Sequence, residues 1–193
     1  MLYSHLPSYV LGFHGCDESV ARSVFEKGKH LKQSRNEYDW LGSGIYFWEN
    51  SPERAIEWAR ELRKRGKVAN PAVIGAVIDL GVCLNLLDRE YLKLVKDAHQ
   101  SLVAAAAAAG RPLPENKPLR DSRDLLLRYL DFATINLCTE LRKKTKLPPF
   151  DTVRAAFVEG EPLYKNAGFC DRNHIQVCVV DRRSIKGYFR PLK

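Results

Sequence analysis

The run Ala72-Val-Ile-Gly-Ala-Val-Ile-Asp-Leu80 constrains this chain more than any other segment. It is apolar, rich in β-branched residues and bounded by Pro71 and Gly81, which predicts a buried strand. The buried backbone N–H and C=O groups of such a strand must be paired, so the chain is committed to a sheet. Further strands are predicted at Val10–Phe13, running into a loop at His14-Gly15, and at Gly44–Trp48, Val153–Val158, His174–Val180 and Ile185–Phe189. Helical spacing of Val20, Val24 and Phe25 predicts a helix over Ser19–Lys27, with Ser19 as its N-cap and Gly28 as its stop. Ser51-Pro52-Glu53 opens a second helix, with Ala55, Ile56, Ala59 and Leu62 as its inward stripe and Gly66 at its end. Residues 88–110 read as a helix, 111–119 with Pro112, Pro114 and Pro118 as a linker, and 120–146 as a long amphipathic helix. Its stripe is Leu126, Tyr129, Leu130, Ala133, Leu137 and Leu141. Strands at both ends with helices inserted at about 88–146 predict one α+β domain over residues 1–193 with a mainly antiparallel sheet.

Composition narrows the function classes. At 45% hydrophobic and 28% charged residues, the chain is neither collagenous nor disordered. No apolar run approaches the ~20 residues that span a bilayer, so no membrane partner is expected. The start of the chain lacks a basic leader followed by an apolar core, and Cys16, Cys83, Cys138, Cys170 and Cys178 form no CxxC pair. A cytoplasmic chain with reduced thiols is therefore expected. Cys83 and Cys178 lie in apolar stretches and are read as core, and no metal site is expected because ligands are not clustered. The net charge is +8, and it is one-sided: residues 1–90 carry 12 basic and 12 acidic side chains, residues 91–193 carry 19 and 11. Such a surface either attracts a polyanion or is simply a solvated basic face.

Three segments carry polar or aromatic groups in unusual settings. Gly12-Phe13-His14-Gly15-Cys16-Asp17 places an imidazole at a strand end beside a glycine that lets a flat ligand approach the backbone. Gly42-Ser43-Gly44-Ile45-Tyr46-Phe47-Trp48 frees the backbone ahead of three aromatics, with Tyr46 and Phe47 on opposite faces of the strand. This Gly-x-Gly precedes a strand, so it is no dinucleotide fingerprint, which follows one. In Asn173–Asp181, His174 and Gln176 share one face, and Ile175, Val177 and Val179 the other. Each segment also has a plain reading: a loop histidine bonded to backbone, three core aromatics, and a half-exposed strand.

Taken together, in this order and at these separations, the three segments resemble the ADP-ribosyltransferases of the poly(ADP-ribose)-polymerase and diphtheria-toxin type. His14-Gly15 matches that family's first element and Gly42–Phe47 its second. Gln176, five residues before Asp181, falls where the family carries a glutamate. The resemblance covers residues 10–62 and about 150–190, and nothing in it accounts for 88–146. It implies a split antiparallel β-sheet that grips NAD⁺ as co-substrate. Gly15 would hold the nicotinamide amide through its backbone, His14 would bond a ribose hydroxyl, and Tyr46 would stack on the nicotinamide ring. Ser43 lies in the same motif as a cofactor contact, and a second aromatic, Trp58 or else Trp48, would close the sandwich.

The departure at Gln176 bears on the chemistry. Glutamine can orient a ribose but carries no charge and cannot act as a base. A base is expected from the loop before the strand, which holds Glu159, Glu161 and Asp171, with Glu159 as the catalytic candidate. The resemblance implies transfer of a single ADP-ribose to a macromolecule, and the basic second half points to nucleic acid, RNA or DNA, as acceptor. Free-standing transferases of this size resemble bacterial toxins, including toxin–antitoxin and phage-defence components, so an inhibitory antitoxin protein is a candidate partner. The rival readings are a non-catalytic NAD⁺- or nucleic-acid-binding module, protein-directed transfer, and an RNA 2′-phosphotransferase, whose phosphate cradle would need a second histidine where this chain has Tyr46.

Overall fold

The computed structural model describes residues 9–118 and 124–192. In chain order the elements are β1 (Tyr9–Asp17), α1 (Glu18–Lys27), β2 (Ile45–Glu49), α2 (Pro52–Lys64), β3 (Pro71–Asp79), β4 (Cys83–Asn85) and α3 (Arg89–Ala108). They continue with β5 (Asn116–Lys117), β6 (Leu127–Arg128), α4 (Tyr129–Lys143), β7 (Thr152–Phe157), β8 (His174–Val179), a 3₁₀ turn (Arg182–Ser184) and β9 (Ile185–Phe189). The protein is mixed α+β. Its main sheet has seven strands in the order β4-β7-β8-β2-β1-β3-β9, antiparallel throughout except for the β4–β7 pair. β5 and β6 form a separate two-stranded ribbon. Among the described residues no helix is long and apolar enough to cross a membrane.

Alternation along the strands sends side chains into cores on both sides of the sheet. On β8, Val177 and Val179 join Ile45, Phe47, Ile74, Ala76 and Ile78 in a core that includes Ala21 and Val24 of α1. Cys178, between them, joins the opposite core with Leu84, Tyr91, Ala98, Ile135, Cys138 and Val153, which is covered by α3 and α4. A third, smaller cluster of Phe13, Trp48 and Ala55, with Trp58 and Phe189 at its margin, lies beneath α2. Leu31 and Leu41 are buried from the irregular segment before β2. Cys83 and Cys178 are buried free thiols, and burial raises the Cys83 thiol to about 11.

Several local expectations hold. Residues 72–79 lie in β3, with Leu80 just past its end, and the strand pairs with β1 at nine successive positions from Tyr9↔Asp79 to Asp17↔Pro71. Ser51 caps α2 with Pro52 in its first turn, and Gly28 ends α1 in the left-handed region at φ 61°. Three expectations are corrected, and one strand is added. β1 does not end at Phe13. His14 and Gly15 are strand residues because β3 continues alongside them as far as Asp17. The α1 cap is Asp17, which accepts from Ser19 N at 2.9 Å, while the Ser19 hydroxyl itself donates to Asp17 at 2.7 Å. The strand Cys83–Asn85 has no counterpart in the sequence pattern, since three residues are too short for a periodic signal.

The third correction concerns the helix expected over 120–146. Residues 119–123 lie outside the described residues, and α4 begins only at Tyr129. Residues 127–128 instead pair with Asn116–Lys117, within the expected proline linker. Arg128, at the N-cap position, makes no side-chain capping bond. The amides of Leu130 and Asp131 donate instead to Asn116 Oδ1, at 2.9 and 3.2 Å. α4 is therefore capped from fourteen residues upstream, where no local pattern announces it.

Candidate active site

β1 and β2 are neighbours but barely paired. Only Gly12↔Glu49 and Phe13↔Trp48 are in register, after which β2 leaves β1. His14 stands at this divergence. Its Nδ1 lies 2.8 Å from the Tyr46 carbonyl oxygen, so the side chain makes a bond where the strand ladder stops. A carbonyl only accepts, so Nδ1 carries the hydrogen and Nε2 keeps its lone pair. Burial holds the imidazole pKa below its ordinary value, which keeps the ring neutral. The His14 ring lies 5.8 Å from that of Phe47, on the α1 side of the sheet.

Tyr46 faces the other side. Its hydroxyl donates to the Gly42 carbonyl at 2.7 Å and accepts from Leu41 N at 2.9 Å, which folds the Gly-Ser-Gly turn back over the ring. Desolvation pushes the phenol well above its ordinary pKa. Gly42 sits at φ 80°, and a Cβ there would come within 2.7 Å of Asn136 Oδ1, so this turn needs glycine twice over. The same Asn136 oxygen accepts from Ser43 N at 3.1 Å. Thus α4, from the segment that matched nothing, anchors the motif turn. Ser43 lines a cavity of about 380 Å³ with Gln33, Arg35, Asn136, Glu140 and Lys143.

Gly15 has a structural reason distinct from ligand approach. A Cβ there would overlap the Ala55 carbonyl oxygen, so it is α2 that comes close to the backbone. Trp58, on α2, packs at the margin of the cluster of Phe13, Trp48 and Ala55, 6.2 Å from the Trp48 ring, with the Arg65 guanidinium 5.4 Å from its centroid. The two aromatics proposed as alternatives are therefore neighbours.

Gln176 is opposite Trp48 on β2 and Ala155 on β7. It is 5% exposed, and its Oε1 accepts from Trp40 Nε1 at 2.8 Å. Trp40 in turn stacks on Phe157 at 3.9 Å, with the Arg128 guanidinium 4.5 Å from its centroid. Two residues past Phe157, the end of β7, Glu159 is also 5% exposed. Its Oε2 lies 3.7 Å from Arg54 Nη2 and 3.9 Å from His174 Nδ1. Burial lifts the Glu159 carboxyl to about 7, against the pull of Arg54. Glu161 and Asp171 are exposed and joined through a bond from Glu161 N to Asp171 Oδ1, an ordinary solvated turn. His174 donates through Nδ1 to the Arg172 carbonyl at 2.7 Å, and burial lowers its pKa.

Two groups result. His14 meets the Tyr46 backbone at the β1–β2 divergence. Gln176, Glu159, His174, Trp40, Trp48 and Arg54 gather across β2, β8 and the start of α2. No contact joins His14 to Gln176, whose strands are separated by β2 and so stand about 10 Å apart. Trp48 Nε1, Arg54 Nε, Glu159 Oε1 and His174 Nε2 are buried without partners.

Trp40 and Arg54 join the site without belonging to any of the three sequence segments. Trp40 has only its position before Gly42 to mark it. Arg54 had a signal: a cation in the first turn of a helix opposes the macrodipole and implies another partner. Of the basic cluster at the end of α4, Arg142 Nε donates to Pro148 O at 2.7 Å and Lys143 pairs with Glu140 at 2.7 Å, while Lys144 and Lys146 are exposed. Among the described residues no three His, Cys, Asp or Glu side chains gather as a metal site. No protein-family model, curated protein or solved structure matches the chain.

Proposed function

We propose that this protein is an NAD⁺-dependent ADP-ribosyltransferase that moves one ADP-ribose to a nucleic-acid acceptor. The observation that carries the reading is the divergence of β1 from β2 at Phe13↔Trp48, with the His14 imidazole bonded to the Tyr46 carbonyl in the opening. It joins two of the three segments on which the family resemblance rests, 32 residues apart in the chain. Such an opening is where a split sheet of that family would admit NAD⁺. The residues present suit the dinucleotide. His14 Nε2, on the α1 side, retains a lone pair for a ribose hydroxyl, and in the second group the buried Trp48 Nε1–H and Arg54 Nε–H are donors without partners. NAD⁺ supplies an activated glycosidic bond, since nicotinamide leaves it as a neutral ring. The chain's own groups bind and orient the ribose and exclude water. An acceptor rich in phosphate fits the surplus of basic residues after position 90.

One set of contacts favours the second reading, a module on this fold that binds without turnover. Tyr46 Oη, Gln176 Oε1 and the α-carbon face of Gly15 are all engaged within the protein. The deciding experiment incubates the purified protein with NAD⁺ labelled in the adenylate and with separate pools of RNA, single-stranded DNA, double-stranded DNA and protein. Free nicotinamide is followed in parallel. Label in a nucleic-acid pool supports the proposal, and label only in protein moves the acceptor class. No nicotinamide release in any pool leaves the binding module.

A further inference from the structure

We propose that Glu159 is the proton acceptor for the acceptor nucleophile, with Arg54 and His174 as its positioning residues. The inference rests on the transferase reading and adds to the expected Glu159 base the two residues that hold it, Arg54 and His174.

Six buried side-chain polar atoms lack a partner among the described residues, and four of them belong to Trp48, Arg54, Glu159 and His174. Each buried polar group without a partner costs about 1–3 kcal/mol, so native folds keep few of them. Here four fall in one contiguous cluster. The Trp48 and His174 rings are 6.4 Å apart, and His174 Nδ1 and Arg54 Nη2 lie 3.9 and 3.7 Å from Glu159 Oε2. The side chains of Glu159 and His174 are 6% and 1% exposed. Oε2 of Glu159 faces Arg54 and His174, and Oε1 is left with no donor. A carboxylate oxygen held this way is ready for an O–H or N–H brought by a ligand.

The neighbouring groups cannot serve. Gln176 is neutral and bonded to Trp40. Tyr46 holds its proton to high pH. Glu161 and Asp171 are exposed. The charged and titratable groups around Glu159 are Arg54 from α2, Asp124 and Arg128 from the segment before α4, Arg172 from the following loop and His174 from β8. His174 is neutral, with its Nδ1–H given to the Arg172 carbonyl, so it fixes one side of the carboxylate without taking its proton. At 3.7 Å, Arg54 keeps the anionic form accessible against the burial that raises the carboxyl to about 7. A carboxyl poised near neutrality is well matched to taking and releasing a proton. The loop that follows begins at the next residue and exposes Leu163, Tyr164 and Phe169.

In the step, an acceptor hydroxyl or amine gives its proton to Glu159 as its oxygen or nitrogen bonds to C1 of the nicotinamide-bearing ribose. The bond from that carbon to nicotinamide breaks, and its electron pair neutralises the pyridinium. The carboxylic acid then returns the proton to solvent.

The test uses the full chain, labelled NAD⁺ and the macromolecular pool that the wild-type protein labels. In Glu159→Gln, transfer should fall about 100-fold or more, as for loss of a general base, while nicotinamide release to water falls about tenfold or less. Arg54→Lys should keep most of the transfer that Arg54→Ala loses. Transfer by Glu159→Gln within threefold of wild type overturns the inference and leaves the transferase reading standing. Label in no pool overturns both. If Glu159→Gln does not fold, the wild-type ratio of transfer to solvolysis decides. A rise with pH through about 7 supports the role, and a flat ratio overturns it.

Discussion

Replacing Trp40 by Phe should destabilise the protein through one atom. Trp40 Nε1 is the donor to Gln176 Oε1 at 2.8 Å, and Gln176 is 5% exposed. Phenylalanine removes that donor yet keeps a ring to stack on Phe157. The main cost is then a buried carbonyl oxygen left unpaired, about 1–3 kcal/mol. A weaker cation–π contact with Arg128, now 4.5 Å from the Trp40 centroid, adds about 0.5 kcal/mol. We expect a loss of about 2 kcal/mol, which in a chain of this size lowers Tm by roughly 4–8 °C. Urea unfolding followed by far-UV circular dichroism measures it. The double variant Trp40→Phe/Gln176→Leu removes both partners and should recover about 1 kcal/mol relative to the summed single effects. Strict additivity, or a loss under about 0.5 kcal/mol for Trp40→Phe, would refute the claim that this bond is the link between the loop and β8.

Further outcomes follow from other interactions. Asn116→Ala should cost about 1 kcal/mol, as for loss of a helix cap, and speed hydrogen exchange at Leu130 and Asp131. Unchanged protection there would mean α4 is capped another way. The raised Glu159 carboxyl contributes stability that is fully present below its ordinary 4.5 and is lost as pH rises through about 7. His174 and His14, with lowered pKa values, contribute stability in the opposite sense, lost as pH falls below 6.5. The difference in unfolding free energy between wild type and Glu159→Gln isolates the first effect. It should shift in favour of the variant between about pH 4.5 and 7, and a pH-independent difference would contradict it. If nucleic acid binds the basic half, Lys143→Gln/Lys144→Gln/Lys146→Gln should lower the salt slope of binding by up to about 1 for each phosphate that is no longer neutralised. An equal slope would move the binding surface away from the end of α4.

The features that the amino-acid order determined by itself are those whose physics is local. β3 is legible because nine successive residues are apolar or β-branched between Pro71 and Gly81, apart from Asp79. α2 and the end of α1 are legible because Ser51, Pro52 and Gly28 act within one turn of their own positions. The candidate segments around His14, Tyr46 and Gln176 were visible for the same reason, as glycines and polar groups set into strand patterns. What those side chains touch was decided only by the tertiary structure. The cap of α4 comes from Asn116 and the lock on Gln176 from Trp40, 136 residues away. Gly15 is glycine because α2 returns onto it. Glu159 and Glu161 are both glutamates of one loop, two residues apart, and neither composition nor spacing distinguishes them. Only the packing of α2 and β8 buries the first between Arg54 and His174 and leaves the second in water. Burial sets the proton affinity of a carboxyl, and burial is a property of the folded chain rather than of neighbouring letters.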